Sequence, residues 1–206
     1  MRVESFNRQK DKKDRFTVLF DDGTKTTVGA AQIADFGIFI GRELSEEEYE
    51  ELRLSSELGS AKARALRILG NRNLSAKEMQ RRLIEKGESV ETSTETVRWL
   101  ESSGLISDED YAAKIVRHYC EKGYGLARIK DELHRRGIQR DFWDAALEEI
   151  NGMEDISYAL LEKKLRGSRD KAELHRASEF LVRRGYSYEQ ARAAINKYIK
   201  TQDKET

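Results

Sequence analysis

Leu133-His134-Arg135-Arg136-Gly137 is one of three versions of a single pentad. Leu83-Ile84-Glu85-Lys86-Gly87 stands 50 residues before it and Leu181-Val182-Arg183-Arg184-Gly185 stands 48 residues after it. Each reads Leu, two variable residues, a basic residue, Gly. Ten residues beyond each Gly comes an aliphatic side chain (Val97, Leu147, Ile195), and thirteen beyond it another large one (Leu100, Ile150, Tyr198). A fixed period near 50 marks a repeat array. Such arrays bind extended partners along a surface and seldom enclose a catalytic pocket.

The punctuation around the pentads is helical. Gly87, Gly137 and Gly185 sit where a left-handed residue closes a helix, and the basic residue before each complements the negative end of the helix dipole. Those residues are explained either by ending helices alone or by also meeting a partner. Capping-box patterns, Ser/Thr followed three residues later by an acid or Gln, mark helix starts at Ser45, Ser75, Thr92, Ser107 and Ser187. Each cap oxygen satisfies an otherwise unpaired N–H, worth about 1 kcal/mol.

Between these marks the apolar residues recur at helical spacing. The central repeat offers Tyr111, Ile115 and Tyr119, then Leu126, Ile129 and Leu133, then Trp143, Ala146, Leu147 and Ile150. The first offers Leu66 and Leu69, Met79 and Leu83, Val97 and Leu100. The third offers Leu161 and Leu165, then Leu174, Ala177 and Leu181, then Ala194, Ile195 and Tyr198. Three short-linked helices bury such stripes against one another. The expected fold is mainly α: tandem three-helix repeats forming an elongated curved array, with a small N-terminal β-hairpin plus helix segment. The expected division is 1–57 for the N-terminal segment, 58–104, 105–152 and 153–201 for the repeats, and 202–206 for a tail.

The N-terminal segment has another character. Arg15–Phe20 and Thr24–Val28 are rich in β-formers and flank Asp21-Asp22-Gly23, a hairpin signal. Met1–Phe6 is a candidate third strand. A lone hairpin is marginal in water, so it must pack on a helix near Ala30–Phe36 and on the acidic helix starting at Ser45.

Composition limits the function. Hydrophobic residues are 38% and charged residues 37%, with mean hydropathy −0.77, which suits thin helical packing better than a thick core. Net charge is zero, against a uniformly basic DNA coat. The charge is uneven: residues 31–58 carry eight acids and two bases, whereas 59–104 and 153–206 are each net +3. The acidic stretch at 43–51 either mimics nucleic acid toward a basic partner or keeps the N-terminal part soluble. Cys120 is the sole cysteine, so no intrachain disulfide forms; apolar neighbours at helical spacing point to a buried, inert thiol. No apolar run approaches the ~20 residues of a membrane span, and the N-terminus lacks a signal-peptide core, so a cytoplasmic protein is expected.

No catalytic constellation emerges. His118, His134 and His175 are scattered and lack metal-ligand spacing. Gly123-Tyr124-Gly125 has neither the Lys-Ser/Thr nor the preceding strand of a phosphate loop. No carboxylate falls within an apolar run that would tune it for acid–base work. The expectation is a protein that is not an enzyme, with no cofactor and no metal.

Two central segments resemble the RecX family of recombination regulators: Gly104-Leu105-Ile106-Ser107-Asp108-Glu109-Asp110-Tyr111-Ala112, and Lys122-Gly123-Tyr124-Gly125-Leu126-Ala127-Arg128-Ile129 followed by Leu133 and Arg136-Gly137-Ile138. Leu74–Met79 and Leu83–Gly87 are similar to the family's first-repeat pattern, and the likeness covers roughly residues 60–198. Ser107 stands where the family often has Asp, and the third repeat lacks a Gly-Tyr-Gly equivalent. The hairpin-bearing N-terminus looks like extended family versions.

The resemblance implies a non-enzymatic regulator that binds RecA and the RecA–single-stranded DNA filament. It would modulate, mainly by inhibiting, the recombinase and ATPase activities in homologous recombination, DNA repair and the SOS response. Weak direct contact with DNA is compatible with it; a membrane or small-molecule substrate is not expected. The candidate contact residues are Lys122, Tyr124, Arg128, Lys130, Arg135 and Arg136, with Gly123 and Gly125 making the turn that presents them. Tyr124 has a competing explanation as an interhelical plug, and Arg128 and Lys130 as merely solvated. A stand-alone DNA-binding protein built from helix-turn-helix-like units is the alternative function.

Overall fold

Val3–Arg8 (β1), Arg15–Phe20 (β2) and Lys25–Gly29 (β3) form an antiparallel sheet in the order β1-β2-β3 in the computed structural model, which describes residues 1–10, 14–148, 150 and 153–203. The third strand thus runs two residues further than Met1–Phe6. Phe16 pairs with Val28 and Phe6 with Val18. Gly23 turns the hairpin at φ +85°, and Asp22 Oδ1 accepts the Thr24 amide at 2.8 Å. Alternation puts Val3, Val18, Phe20 and Val28, each fully buried, on one face of the sheet.

That face is covered by helices. Ala30–Asp35 (α1) follows β3 directly, and Glu46–Leu69 (α2) is one 24-residue helix that runs unbroken through residues 57 and 58. Leu52 joins the sheet core, and Tyr49 meets Phe20 edge-on at 5.2 Å. Gly59 lets the Gln32 side chain approach: a Cβ there would lie 3.2 Å from Gln32 Nε2.

Ala76–Glu85 (α3) and Val90–Ser102 (α4) complete the first helical set. The chain divides into two compact units, Met1–Arg72 with Met79–Ser103, and Asn73–Glu78 with Gly104–Thr206. Two expectations are corrected in the first unit. Ser89, not Thr92, caps α4: its hydroxyl accepts the Thr92 amide at 3.0 Å, so the helix begins directly after the Gly87 turn. Leu66 is 45% exposed, and the small side chains of Ala61 and Ala65 form the buried stripe of α2 instead.

Among the described residues, the second unit holds, beside the start of α3, six helices and one 3₁₀ turn: Asp108–Glu121 (α5), Leu126–Arg135 (α6), the turn Arg140–Phe142, Trp143–Glu148 (α7), Met153–Leu165 (α8), Lys171–Arg183 (α9) and Tyr188–Gln202 (α10). Tyr111, Ile115, Ile129, Leu133, Trp143 and Ala146 share one core; Leu161, Leu165, Ala177, Leu181, Ala194 and Tyr198 share another. Each fully buried large aliphatic contributes about 1.5–3 kcal/mol. Residues 204–206 of the expected tail lie outside the described residues. Among the described residues, no helix is long and apolar enough to cross a membrane.

The pentads end helices through one device. Gly87, Gly137 and Gly185 have φ of +92°, +71° and +92°. In each, the residue after Gly bonds back to the pentad Leu carbonyl: Glu88 to Leu83 at 3.1 Å, Ile138 to Leu133 and Tyr186 to Leu181, both at 3.2 Å. These are Schellman closures, which satisfy carbonyls a helix end leaves unpaired.

Candidate partner-binding surface of the central repeat

The Gly123-Tyr124-Gly125 turn is a fourth closure of that kind. Lys122 caps α5, Gly123 is left-handed at φ +73°, and the Tyr124 amide bonds to the Tyr119 carbonyl at 3.0 Å. The two rings then meet at 5.3 Å between centroids. Tyr124 is therefore the apolar contact of a helix end, partly buried, with a lid: the Arg184 guanidinium stacks on its ring at 4.6 Å.

Arg184 does more than cover the ring. Its Nε donates to the Gly123 carbonyl at 2.9 Å and its Nη2 donates to the Lys122 carbonyl. The third repeat thus clamps the turn of the second. Gly125 was expected to make the turn by left-handed backbone, but its φ is −81°. Glycine is required there for a different reason, since an added Cβ would lie 2.3 Å from the Gly185 carbonyl carbon. The close approach lets the Gly125 amide bond to the Arg184 carbonyl at 2.8 Å and the Ala127 amide to the Gly185 carbonyl at 3.1 Å.

At the far end of α6, Arg135 and Arg136 converge on Glu132, whose side chain is only 2% exposed. Arg135 Nη2 lies 2.5 Å and Arg136 Nε 2.7 Å from its two oxygens. Arg136 also donates to the Tyr111 hydroxyl and stacks on that ring at 5.4 Å. Burial pushes the Glu132 carboxyl up, but hydrogen bonds from Arg136 and then Arg135 overcome it and hold the group below its ordinary value. Burial, with help from this carboxylate, pushes the Tyr119 phenol up.

Of the eight candidate residues, the structure gathers Lys122, Gly123, Tyr124, Gly125 and Arg128 around the Arg184–Gly185 clamp, with Lys130 farther along α6. Arg135 and Arg136 belong to the Glu132 cluster. Lys122, Arg128 and Lys130 are exposed and form no ion pair among the described residues.

Sequence reasoning missed Arg184 and Ser75 as partners of this region. The Ser75 hydroxyl donates to the Arg136 carbonyl at 2.5 Å, the Ala76 amide bonds to Asp108 Oδ1 at 2.9 Å, and Lys77 lies over Gly137. Burial raises the Asp108 carboxyl, opposed by the Ala76 bond and assisted by Glu78. The periodicity held the signal for both, because Arg136 and Arg184 occupy the same pentad position. Cys120 is half-buried and burial pushes its thiol up, as an inert structural thiol requires. Among the described residues, no group of three or more His, Cys, Asp or Glu side chains could hold a metal ion.

Successive helices closed by the left-handed residues Gly87, Gly123, Gly137 and Gly185 define a class of helical-repeat protein. The family described as "RecX, second three-helix domain" matches residues 107–147. Similar relatives include "Regulatory protein RecX" of Caldanaerobacter subterraneus subsp. tengcongensis, 27% identical over 91% of this chain and 95% of the relative. Those of Clostridioides difficile (27% identical, 96% and 95% covered) and Bacillus subtilis (27%, 99% and 80%) are also alike. A crystal structure of regulatory protein RecX shares the fold with TM-score 0.74 at 21% identity, covering 95% of this chain and 98% of that one. RecX from Lactobacillus salivarius gives 0.64 at 21% identity over 70% and 97%. Over nearly its whole length this chain is therefore similar to regulatory proteins named RecX.

Proposed function

We propose that this protein binds RecA and the RecA–DNA filament and restrains the recombinase and ATPase activities, acting in the cytoplasm and catalysing no reaction itself. The likeness to proteins named regulatory protein RecX supports the regulatory role. The observation that carries the site is the set of cations Lys122, Arg128 and Lys130 on and beside α6, which form no ion pair among the described residues. Lys122 stands on the turn clamped by Arg184 and Gly185, and Arg128 and Lys130 on the helix that leaves it, so they are presented on a rigid support. A filament repeats one binding site along a lattice, and several weak contacts in one chain raise avidity by about 10²–10⁴ when they engage together. Arg135, Arg136 and Tyr124 serve the fold of the repeat in this reading.

Co-sedimentation with RecA filaments, with and without single-stranded DNA, tests the proposal. Pelleting with filaments and loss of RecA-dependent ATP hydrolysis are expected. Binding to bare duplex with a steep salt slope and no response to RecA would favour the stand-alone DNA-binding alternative.

A further inference from the structure

Glu47, Glu51, Leu54 and Leu58 follow one another along α2 at i, i+4, i+7 and i+11, so they form a single stripe. Leu54 and Leu58 face Val90 at the start of α4 across an open notch of about 480 Å³, with Glu91, Glu95 and Arg98 on its wall. Leu54 is 51% and Val90 57% exposed, on two helices whose first turns are fixed by Ser45 and Ser89. Side by side on a rigid support, these two aliphatics form a small apolar patch that a partner can cover.

The charge around the notch selects the partner. Arg98 is taken up by Glu95 at 3.5 Å, and Arg53 lies between Glu50 and Glu57. Glu47, Glu51 and Glu91 form no ion pair among the described residues. Unpaired carboxylates on both sides repel phosphate, so the surface does not suit nucleic acid. They suit cations carried beside an apolar stripe.

We propose that this notch docks a basic amphipathic helix of a partner protein. Aliphatic side chains of that helix fill the space between Leu54, Leu58 and Val90, and its Lys or Arg side chains meet Glu47 and Glu51 on one side and Glu91 on the other. Glu47 and Leu54 are two turns apart, about 10 Å along the axis. The matching segment therefore carries its cations about two turns from its aliphatic anchor on the same face, as in helix-in-groove recognition. The site is separate in chemistry from the cationic surface of the central repeat and does not depend on the filament reading.

Fluorescence anisotropy with the full chain tests it. The first labelled peptide is an amphipathic helix with Leu on one face and Lys on its borders; the second has Glu in place of Lys. The Lys peptide is expected to bind. Leu54→Lys should weaken it about tenfold or more, the scale of losing an interface anchor. Glu51→Gln with Glu91→Gln should weaken it and flatten its salt dependence. Because the paired Gln substitutions lie on the exposed surface, they carry the test even if Leu54→Lys unfolds, which circular dichroism will report. Unchanged affinity in the Gln pair, or equal binding of the Glu peptide, would overturn the proposal. Co-sedimentation with RecA reads the other reading separately, so the two fail independently.

Discussion

The amide of Gly125 donates to the carbonyl of Arg184 at 2.8 Å, and one repeat earlier the hydroxyl of Ser75 donates to the carbonyl of Arg136 at 2.5 Å. Ser75 and Gly125 are 50 residues apart, Arg136 and Arg184 are 48 apart. The same pentad position is satisfied in the first unit too, where Arg64 Nη1 reaches the Lys86 carbonyl at 2.8 Å. A helix end leaves carbonyls unpaired, and in all three repeats an element earlier in the chain supplies the donor before the left-handed Gly. The pentad is therefore both a helix stop and a joint.

The joint at Gly125 is the one made backbone to backbone, so it tolerates no side chain. Gly125→Ala places a methyl group 2.3 Å from the Gly185 carbonyl carbon. Either the Arg184 and Gly185 carbonyls retreat from the amides of Gly125 and Ala127, or the chain strains. A loss of about 1–3 kcal/mol is expected from such overpacking, read by urea denaturation. A variant as stable as the parent would show that α6 and the third-repeat turn are not locked together.

Arg184→Met keeps the bulk over Tyr124 while removing every donor. The carbonyls of Gly123 and Lys122 lose their side-chain partner, at about 1 kcal/mol for exchangeable hydrogen bonds. Hydrogen exchange resolves this better than global unfolding. Amides at Gly125 and Ala127 should exchange faster in the variant, while those inside α10 should keep their protection.

The Glu132 cluster predicts a pH dependence. The folded-state pKa of Glu132 lies below the ordinary Glu value, about 4.3. Its contribution to stability is therefore complete above that value and lost as pH falls through the folded-state pKa. Glu132→Gln should cost about 1–3 kcal/mol at pH 7, because the partly buried Arg136 and the exposed Arg135 then lose their charged partner. The gap between parent and variant should narrow below about pH 4. Urea midpoints from pH 7 to pH 3 measure it; a constant gap would assign the stabilisation to packing.

How much of this was legible before the structure depends on whether the signal was periodic. Helix stops at Gly87, Gly137 and Gly185 follow from a left-handed requirement that only the local chain imposes, so the sequence states them directly. Thr92 and Glu95 complete a stronger capping pattern than Ser89 does, whereas the cap is decided by where the Gly87 turn releases the chain. Apolarity alone places Leu66 in the core, but the neighbouring helix decides which face is covered, and Ala61 and Ala65 give α2 its buried stripe. Among the candidate site residues, Arg136 and Lys122 look alike in sequence, as cations at helix ends. Only the buried position of Glu132, which no local pattern encodes, makes the first structural and leaves the second facing solvent.

That distinction sets the last prediction. Reversing Lys122, Arg128 and Lys130 together to Glu touches three exposed cations with no ion pair among the described residues, so the melting temperature should stay within a few degrees, the usual range for surface changes. Reversing Arg135 and Arg136 instead sets two carboxylates beside buried Glu132, and this variant should fold poorly. If the proposed filament contact is correct, the triple variant keeps its circular dichroism spectrum and loses inhibition of RecA-dependent ATP hydrolysis by about tenfold or more, since several charge contacts fail together. Full inhibition by a folded triple variant would move the contact away from α6. Loss of inhibition that tracks only with unfolding, as in the Arg135 and Arg136 reversal, would mean that the repeat's integrity rather than its cations serves the partner.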